Sequence, residues 1–145
     1  MKTISVLTLI LTAALFFSCK KNDPTANKPP TSQWSFDSTV HNGVSTYFIT
    51  SVDLISLDSF SNAVDVYFPV TPTSNGTYTV TANPPRNGQC IVGISENSDS
   101  YTSIGSPGDT VTVTVSAGKV TAAFSNISVS DGYATKTVSG TLIQQ

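Results

Sequence analysis

From Trp34 onward, apolar and polar residues alternate along the chain with a period of two. Val111, Val113 and Val115, for example, alternate with threonines. This period puts successive side chains on opposite faces of a β-strand, so that one face is buried and the other meets solvent. The same alternation gives four further inward sets: Trp34, Phe36 and Val40; Val64, Val66, Phe68 and Val70; Tyr78, Val80 and Ala82; and Cys90, Val92 and Ile94.

The clearest hairpin spans residues 110–125. A turn at Ala117-Gly118, where glycine tolerates positive φ, brings apolar residues of the two strands opposite each other. A shift of one residue would destroy this match, so the register is well specified. The apolar parity changes after this hairpin, which predicts a bulge near Asn126. The expected pairs are Val115 with Val120, Val113 with Ala122, and Val111 with Phe124.

The remaining segments complete an all-β prediction. The last strand is expected at Thr135 to Ile143, with Gly140 at a close approach or bend. Segment 44–57 is apolar on both parities, which indicates a central strand pair covered on both sides; a helical turn from Leu54 to Val64 is the alternative for part of this region. With roughly eight to ten short strands, we predict an antiparallel β-sandwich, and a closed β-barrel is the alternative. Turns are expected at Asn42-Gly43, Asn75-Gly76, Asn87-Gly88, Pro107-Gly108 and Asp131-Gly132.

The amino-terminal segment has the pattern of a secretion signal. Lys2 is followed by an uncharged apolar stretch from Ile4 to Phe17, which is shorter than the roughly 20 residues that a spanning helix needs. Leu15-Phe16-Phe17-Ser18-Cys19 resembles a lipobox, although Phe16 stands where leucine is usual. The resemblance implies cleavage before Cys19, lipidation of Cys19 and a membrane anchor.

We therefore expect three parts: a signal peptide at 1–18, the lipidated cysteine with a flexible tether at 19–33, and one β domain at 34–145. The tether prediction follows from a polar, proline-containing composition that cannot bury enough apolar surface to fold.

The chain also resembles small Bacteroidota lipoproteins of uncharacterised function. Lys20-Lys21-Asn22-Asp23 is similar to the charged run that sends such proteins to the cell surface, so the resemblance implies the outer membrane, facing outward. Two sites resemble the Asp-Ser/Thr-apolar motif that these bacteria O-glycosylate, at Ser38 and Thr110. The resemblance in the β domain is carried by Trp34-Ser35-Phe36, Gly76-Thr77-Tyr78 and Val138-Ser139-Gly140-Thr141-Leu142.

Charge and composition limit the chemistry. A net charge of -2 argues against a nucleic-acid partner, because such proteins usually carry a basic face. Cys90 has no partner once Cys19 is lipidated, and we expect it to be a small buried hydrophobe. His41 is the single histidine, and beside Asn42-Gly43 it is expected in an exposed turn. No metal-ligand set or cofactor motif is present in the sequence, so we predict no cofactor.

The sequence favours a non-catalytic binding or accessory module, with a polysaccharide or an envelope protein as its partner. Exposed tyrosines would form its contact surface, and rim packing of a small core is the alternative explanation for them. A second hypothesis is a barrel that carries a small apolar ligand in an interior cavity. A third is an enzyme, which would require Cys90, Asp65 or Glu96 in a reactive setting. The tyrosines concerned are Tyr47, Tyr67, Tyr101 and Tyr133.

Overall fold

The computed structural model describes residues 30–145, and within this range the chain is all-β. Cys19 and most of the expected tether lie outside the described residues. The strands are β1 (Gln33–Phe36), β2 (Thr39–Asn42), β3 (Ser45–Ile49), β4 (Asp53–Leu57), β5 (Ala63–Tyr67), β6 (Gly76–Val80), β7 (Gln89–Glu96), β8 (Asp99–Ser103), β9 (Thr110–Ser116), β10 (Lys119–Ser130) and β11 (Thr135–Ile143).

The strands form a single sheet in the order β2-β1-β11-β10-β9-β6-β7-β5-β4-β3, and β8 pairs with both β10 and β7. The sheet folds over so that β10 packs on β7 and β11 packs on β4, as in a sandwich. In the described sheet the terminal strands β2 and β3 are not paired with each other, whereas β8 connects the two layers by pairing with β7 and with β10. One pair, β6 with β7, is parallel, which the sequence did not predict.

The core lies between the two layers and consists of the inward side chains of the alternating strands. Trp34, Phe36 and Phe68 are among its largest members and are at most 2% exposed. Burying each such side chain stabilises the fold by about 1.5–3 kcal/mol. The core prediction is therefore confirmed for these residues, whereas Val40, Val70 and Ala82 are exposed.

The predicted hairpin of β9 and β10 is confirmed in its register. Val115 pairs with Val120, Val113 with Ala122, and Val111 with Phe124. Ala117 and Gly118 both have positive φ, of 50° and 75°, as a two-residue hairpin turn requires.

The predicted irregularities of the last two strands are confirmed as well. The register of β10 against β11 shifts between Phe124 and Ile127, and Asn126 has a φ of 53°. At Gly140 the strands β11 and β1 approach so closely that an added Cβ would lie 2.8 Å from the Trp34 Cβ. A side chain at this position would therefore push β1 away from β11.

The structure has one strand more than the predicted range, because the sequence pattern did not indicate two of its glycine-free hairpins. The β1–β2 turn is Asp37-Ser38 and the β7–β8 turn is Asn97-Ser98, and all four residues have positive φ. Short polar side chains tolerate this conformation through local hydrogen bonds.

The prediction for segment 44–57 is wrong in two respects. The segment forms the β3–β4 hairpin, but β3 is the last strand of the sheet rather than a central one. Its outer face is open, because Tyr47 is 43% and Ile49 is 39% exposed. The alternative of a helical turn from Leu54 to Val64 is also wrong, since the ends of this range belong to β4 and β5.

The prediction that His41 lies in an exposed turn is wrong: it is an inward residue of β2 and is 7% exposed. The two-residue turn pairs Trp34 with His41 and Ser35 with Val40, so the inward parity changes from even to odd across it. His41 therefore takes the core-facing place that the sequence pattern assigned to Val40.

Candidate functional site

The structure places the two candidate O-glycosylation sites on the surface. Ser38 lies in the β1–β2 turn and Thr110 is the first residue of β9, and both are exposed. The geometry leaves both hydroxyls accessible, and their modification stays a prediction.

Cys90 is fully buried in β7. Burial raises the pKa of its thiol to about 12, so the reactive thiolate is not formed near neutral pH. The structural interpretation of Cys90 agrees with this environment.

The outer face of β3, β4, β5 and β7 is unusually apolar, and two of the three rows of side chains that cross these strands contain its tyrosines. We call this surface the tyrosine face. One row runs Tyr47, Ile55, Asp65 and Gly93, each directly paired with the next. The second row runs Ile49, Asp53, Tyr67 and Ile91.

The tyrosines are partly exposed on this face. Tyr47 is 43% and Tyr67 is 38% exposed. They are two strands and one two-residue step apart, which places their Cα atoms about 12 Å from each other. Tyr101, which the sequence grouped with them, is instead buried against Phe36 with ring centroids 4.9 Å apart, and Tyr133 lies fully exposed beyond the end of β10.

The opposite layer has an outer face of a different kind. A continuous row there crosses β6, β9, β10, β11, β1 and β2, and it is dominated by hydroxyl and amide side chains. This is the ordinary solvent face of an antiparallel sheet. The tyrosine face therefore departs from the pattern that the same chain uses elsewhere. The row consists of Thr77, Thr112, Ala123, Thr141, Gln33 and Asn42.

Two carboxyl groups are embedded in the tyrosine face. Burial, with a smaller effect from the negative charge of Asp53, raises the pKa of Asp65 to about 7. Burial also raises the pKa of Asp53, whose Oδ1 is buried without a hydrogen-bond partner. Asp65 lies over Gly93, where any Cβ would overlap with its Oδ1 atom. Gly93 thus provides the space in which this carboxyl group lies against the sheet.

A second polar cluster, the His41 cluster, consists of His41, Asp58 and Glu96. The His41 Nδ1 is 2.9 Å from Asp58 Oδ2, and its Nε2 is 3.2 Å from Glu96 Oε1. The imidazole stacks on Trp34 with a centroid distance of 5.3 Å and an interplanar angle of 9°. These contacts join β2 to the β4–β5 loop and to the end of β7.

Asp58 is the organising residue of this cluster. Its Oδ1 accepts hydrogen bonds from the backbone N–H groups of Phe60 and Asn62, and its Oδ2 accepts from the Asn62 side chain. Burial raises the pKa of Asp58, but hydrogen bonds from His41, Asn62 and Phe60 outweigh it and hold the pKa below its usual value. Because a carboxylate only accepts, His41 Nδ1 donates to it, as in a general-base dyad.

The rest of the His41 cluster does not complete a nucleophilic site. In the described part of the chain, His41 Nε2 has no well-aligned hydrogen-bond partner, so no hydroxyl or thiol is held there as a nucleophile. Glu96 Oε1 stands beside that nitrogen instead. An adjoining cleft of about 320 Å³ contains the exposed Phe60 at its edge.

Between residues 30 and 145, no group of three or more His, Cys, Asp or Glu side chains is arranged to hold a metal ion. The same residues form no helix of the length and apolarity needed to cross a membrane. The chain matches no protein-family model, no curated protein and no solved structure.

Proposed function

We propose that this protein is an exported, lipid-anchored, non-catalytic binding module that contacts its partner through the tyrosine face. The amino-terminal pattern supports anchoring at Cys19 in the outer membrane. The charged run after it supports a position on the cell surface. The partner is a component that the tethered domain meets outside the membrane, and nucleic acid is not a candidate because of the chain's net charge of -2.

One observation carries the binding assignment: the two layers of the same sandwich have different outer faces. One is a hydroxyl surface that needs only water. The other exposes Tyr47, Ile49 and Tyr67 around two carboxyl groups. Contiguous exposed apolar surface of this kind, mixed with a few polar groups, is typical of interaction sites in soluble domains.

The non-catalytic part of the proposal rests on the environments of two side chains that could act as a nucleophile or a base, Cys90 and His41. The Cys90 thiol is buried and protonated near neutral pH, because its pKa is raised to about 12. His41 is held between two carboxylates, where it connects three segments of the fold. Both environments favour a structural role for these side chains.

The anchoring is tested by protease treatment of intact cells that produce either the wild-type protein or Cys19→Ala. We expect the wild-type domain to be removed from whole cells and the variant to be absent from the membrane fraction. Protection of the wild-type domain until the outer membrane is opened would refute surface exposure. Membrane retention of Cys19→Ala would refute lipid anchoring.

The binding face is tested by placing a photo-crosslinking amino acid at position 67, with position 133 as the matched control. Both positions carry an exposed tyrosine, of 38% and 99% exposure, but only Tyr67 lies on the tyrosine face. Irradiation of intact cells should give adducts at position 67 and none at position 133. Equal adducts at both positions, or none at position 67, would contradict the assignment of the face.

A further inference from the structure

The tyrosine face also indicates the chemistry of its partner, provided that the proposed binding function is correct. From the arrangement of tyrosine rings, carboxyl groups and charges on this face, we propose that it binds a neutral polysaccharide. The assignment follows from three properties of the face, of which the first two each exclude a class of partner.

The first property is charge. The charged side chains of the face are all carboxylic acids, because β3, β4, β5 and β7 contain no Lys or Arg. The described cationic side chains are elsewhere, at Arg86, Lys119 and Lys136. An acidic polymer would meet uncompensated like charge here, which costs affinity rather than adding to it. Nucleic acids, acidic polysaccharides and anionic lipid surfaces are therefore poor partners.

The second property is the position of the carboxyl groups among apolar side chains. Asp65 pairs directly with Ile55, and Asp53 pairs directly with Tyr67. A partner with a purely apolar surface would remove the remaining exposed parts of both carboxyl groups from water without supplying a donor, which is unfavourable for an ionised group. The partner must instead bring hydrogen-bond donors to the centre of an apolar surface.

The third property is the acceptor capacity of these two groups. Asp53 Oδ1 is itself buried, so the acceptors open to a ligand are the remaining exposed parts of the two half-buried carboxyl groups, and Gly93 under Asp65 has no side chain that could donate to it. Neighbouring hydroxyl groups of a sugar ring can donate to the two oxygens of one carboxylate. Such charge-assisted hydrogen bonds are about twice as strong as neutral ones.

The two tyrosines match the other surface of a sugar. One side of a pyranose ring presents C–H groups, which are weakly positive and pack on the negative face of an aromatic ring. Tyr47 and Tyr67 lie on opposite sides of the diagonal Asp53–Asp65 pair, about 12 Å apart between Cα atoms. A chain of sugar units laid across the strands would contact both rings and the exposed parts of the carboxyl groups between them.

The test is affinity electrophoresis of the purified protein through gels that contain neutral glucans, mannans, xylans or galactans. Polygalacturonate gels serve as the acidic comparison. Calorimetry then gives the affinity for any polymer that retards the protein. We expect retardation by at least one neutral polymer and none by polygalacturonate. No retardation by any neutral polymer, or retardation by polygalacturonate alone, would overturn the assignment.

Four variants locate the site. Tyr47→Ala, Tyr67→Ala and Asp65→Asn should each weaken binding about tenfold, whereas Tyr133→Ala should leave the affinity unchanged. Tyr47 and Tyr67 are partly exposed, so their truncation leaves the core intact, and the unfolding midpoint of each variant verifies this. Binding that all four variants retain would place the polysaccharide elsewhere and refute the proposal.

The crosslinking experiment separates this inference from the proposed function. Adducts at position 67 that are proteins and contain no glycan would leave the binding face in place and reject the polysaccharide. The absence of adducts at position 67, together with no retardation in any gel, would reject both.

Discussion

Asp65→Asn should increase the unfolding free energy of the protein at pH 8. The gain over the wild type should be larger at pH 8 than at pH 4. Burial raises the pKa of Asp65 from 3.8 to about 7, so the folded state holds a proton that the unfolded chain has already released. A shift of about three pKa units corresponds to at most about 4 kcal/mol, and to about 2–4 kcal/mol when partial solvent exposure is included. Asparagine cannot ionise and avoids this cost.

The sign follows from linkage. Because the pKa of Asp65 is raised by folding, its contribution to stability is fully present below pH 3.8 and is lost as the pH rises through about 7. The wild-type unfolding free energy should therefore fall by up to about 1.4 kcal/mol per pH unit across this window, relative to the variant. Above it, both folded and unfolded wild-type chains are ionised and the difference becomes constant.

The assay is urea-induced unfolding of both proteins at intervals from pH 4 to pH 8.5, monitored by the fluorescence of Trp34. The pH dependence of the difference between the two proteins reports on Asp65 and its coupled neighbour Asp53, since more distant titrating groups contribute equally to both. Asp99→Asn is the control, because Asp99 is an exposed residue of the β7–β8 hairpin. A difference between wild type and Asp65→Asn that does not vary with pH would refute the burial argument for Asp65.

Three further predictions concern the core, the His41 cluster and the thiol. Gly140→Ala should lower the unfolding free energy by about 1–3 kcal/mol through overpacking, measured in the same urea titration. Gly76→Ala is the control and should cost less than half of that, because its Cβ would be 3.7 Å from the nearest atom. Glu96→Gln should destabilise the protein by about 1 kcal/mol more than Asp99→Asn, because it removes the carboxyl group whose Oε1 is 3.2 Å from His41 Nε2. It should also speed amide hydrogen exchange in β2. Equal effects of the two substitutions would contradict this contact. Cys90 should not react with a thiol reagent at pH 8 until urea unfolds the chain, and rapid reaction of the native protein would show that the thiol is not buried.

The sequence predicted what depends on neighbouring residues. The register of the β9–β10 hairpin was predictable because a short turn, a suitable glycine and matched apolar residues all lie within residues 110–125. The bulge near Asn126 and the last strand followed from the same local pattern. In each case the competing register would have exposed valines, so a single arrangement was favoured.

The interactions that the sequence did not predict connect distant parts of the chain. His41 contacts Asp58 and Glu96, which are 17 and 55 positions away, and nothing in the local pattern pairs them. The glycine-free turn at Asp37-Ser38 also reversed the inward parity of β2. The available signal was a polar residue at a position of a strand that faces the core. His41 matches this signal only when the turn at Asp37-Ser38 is taken into account.

Segment 44–57 shows a different limit of sequence reasoning. Apolar residues on both parities mean that both faces of a strand avoid water, and this was interpreted as burial within the domain. The same pattern arises when one face is left for a partner outside the chain. Periodicity records how apolar each face is, and the exposure of Tyr47 and Ile49 in the folded structure distinguishes the two cases.

The energetic cost at Asp65 gives the strongest reason to regard this open face as functional. An aspartate is unfavourable in a strand, a glycine such as Gly93 weakens the middle of a sheet, and an acid with a pKa raised to about 7 reduces stability at neutral pH. The three unfavourable features occur at one directly paired position, Asp65 with Gly93. Departures from local stability rules tend to collect at functional sites, where the fold bears their cost. Asp65→Asn therefore tests this interpretation in both directions: the same substitution should stabilise the domain at pH 8 and weaken its polysaccharide binding about tenfold, and a variant that gained stability without losing affinity would leave Asp65 without a role in the site.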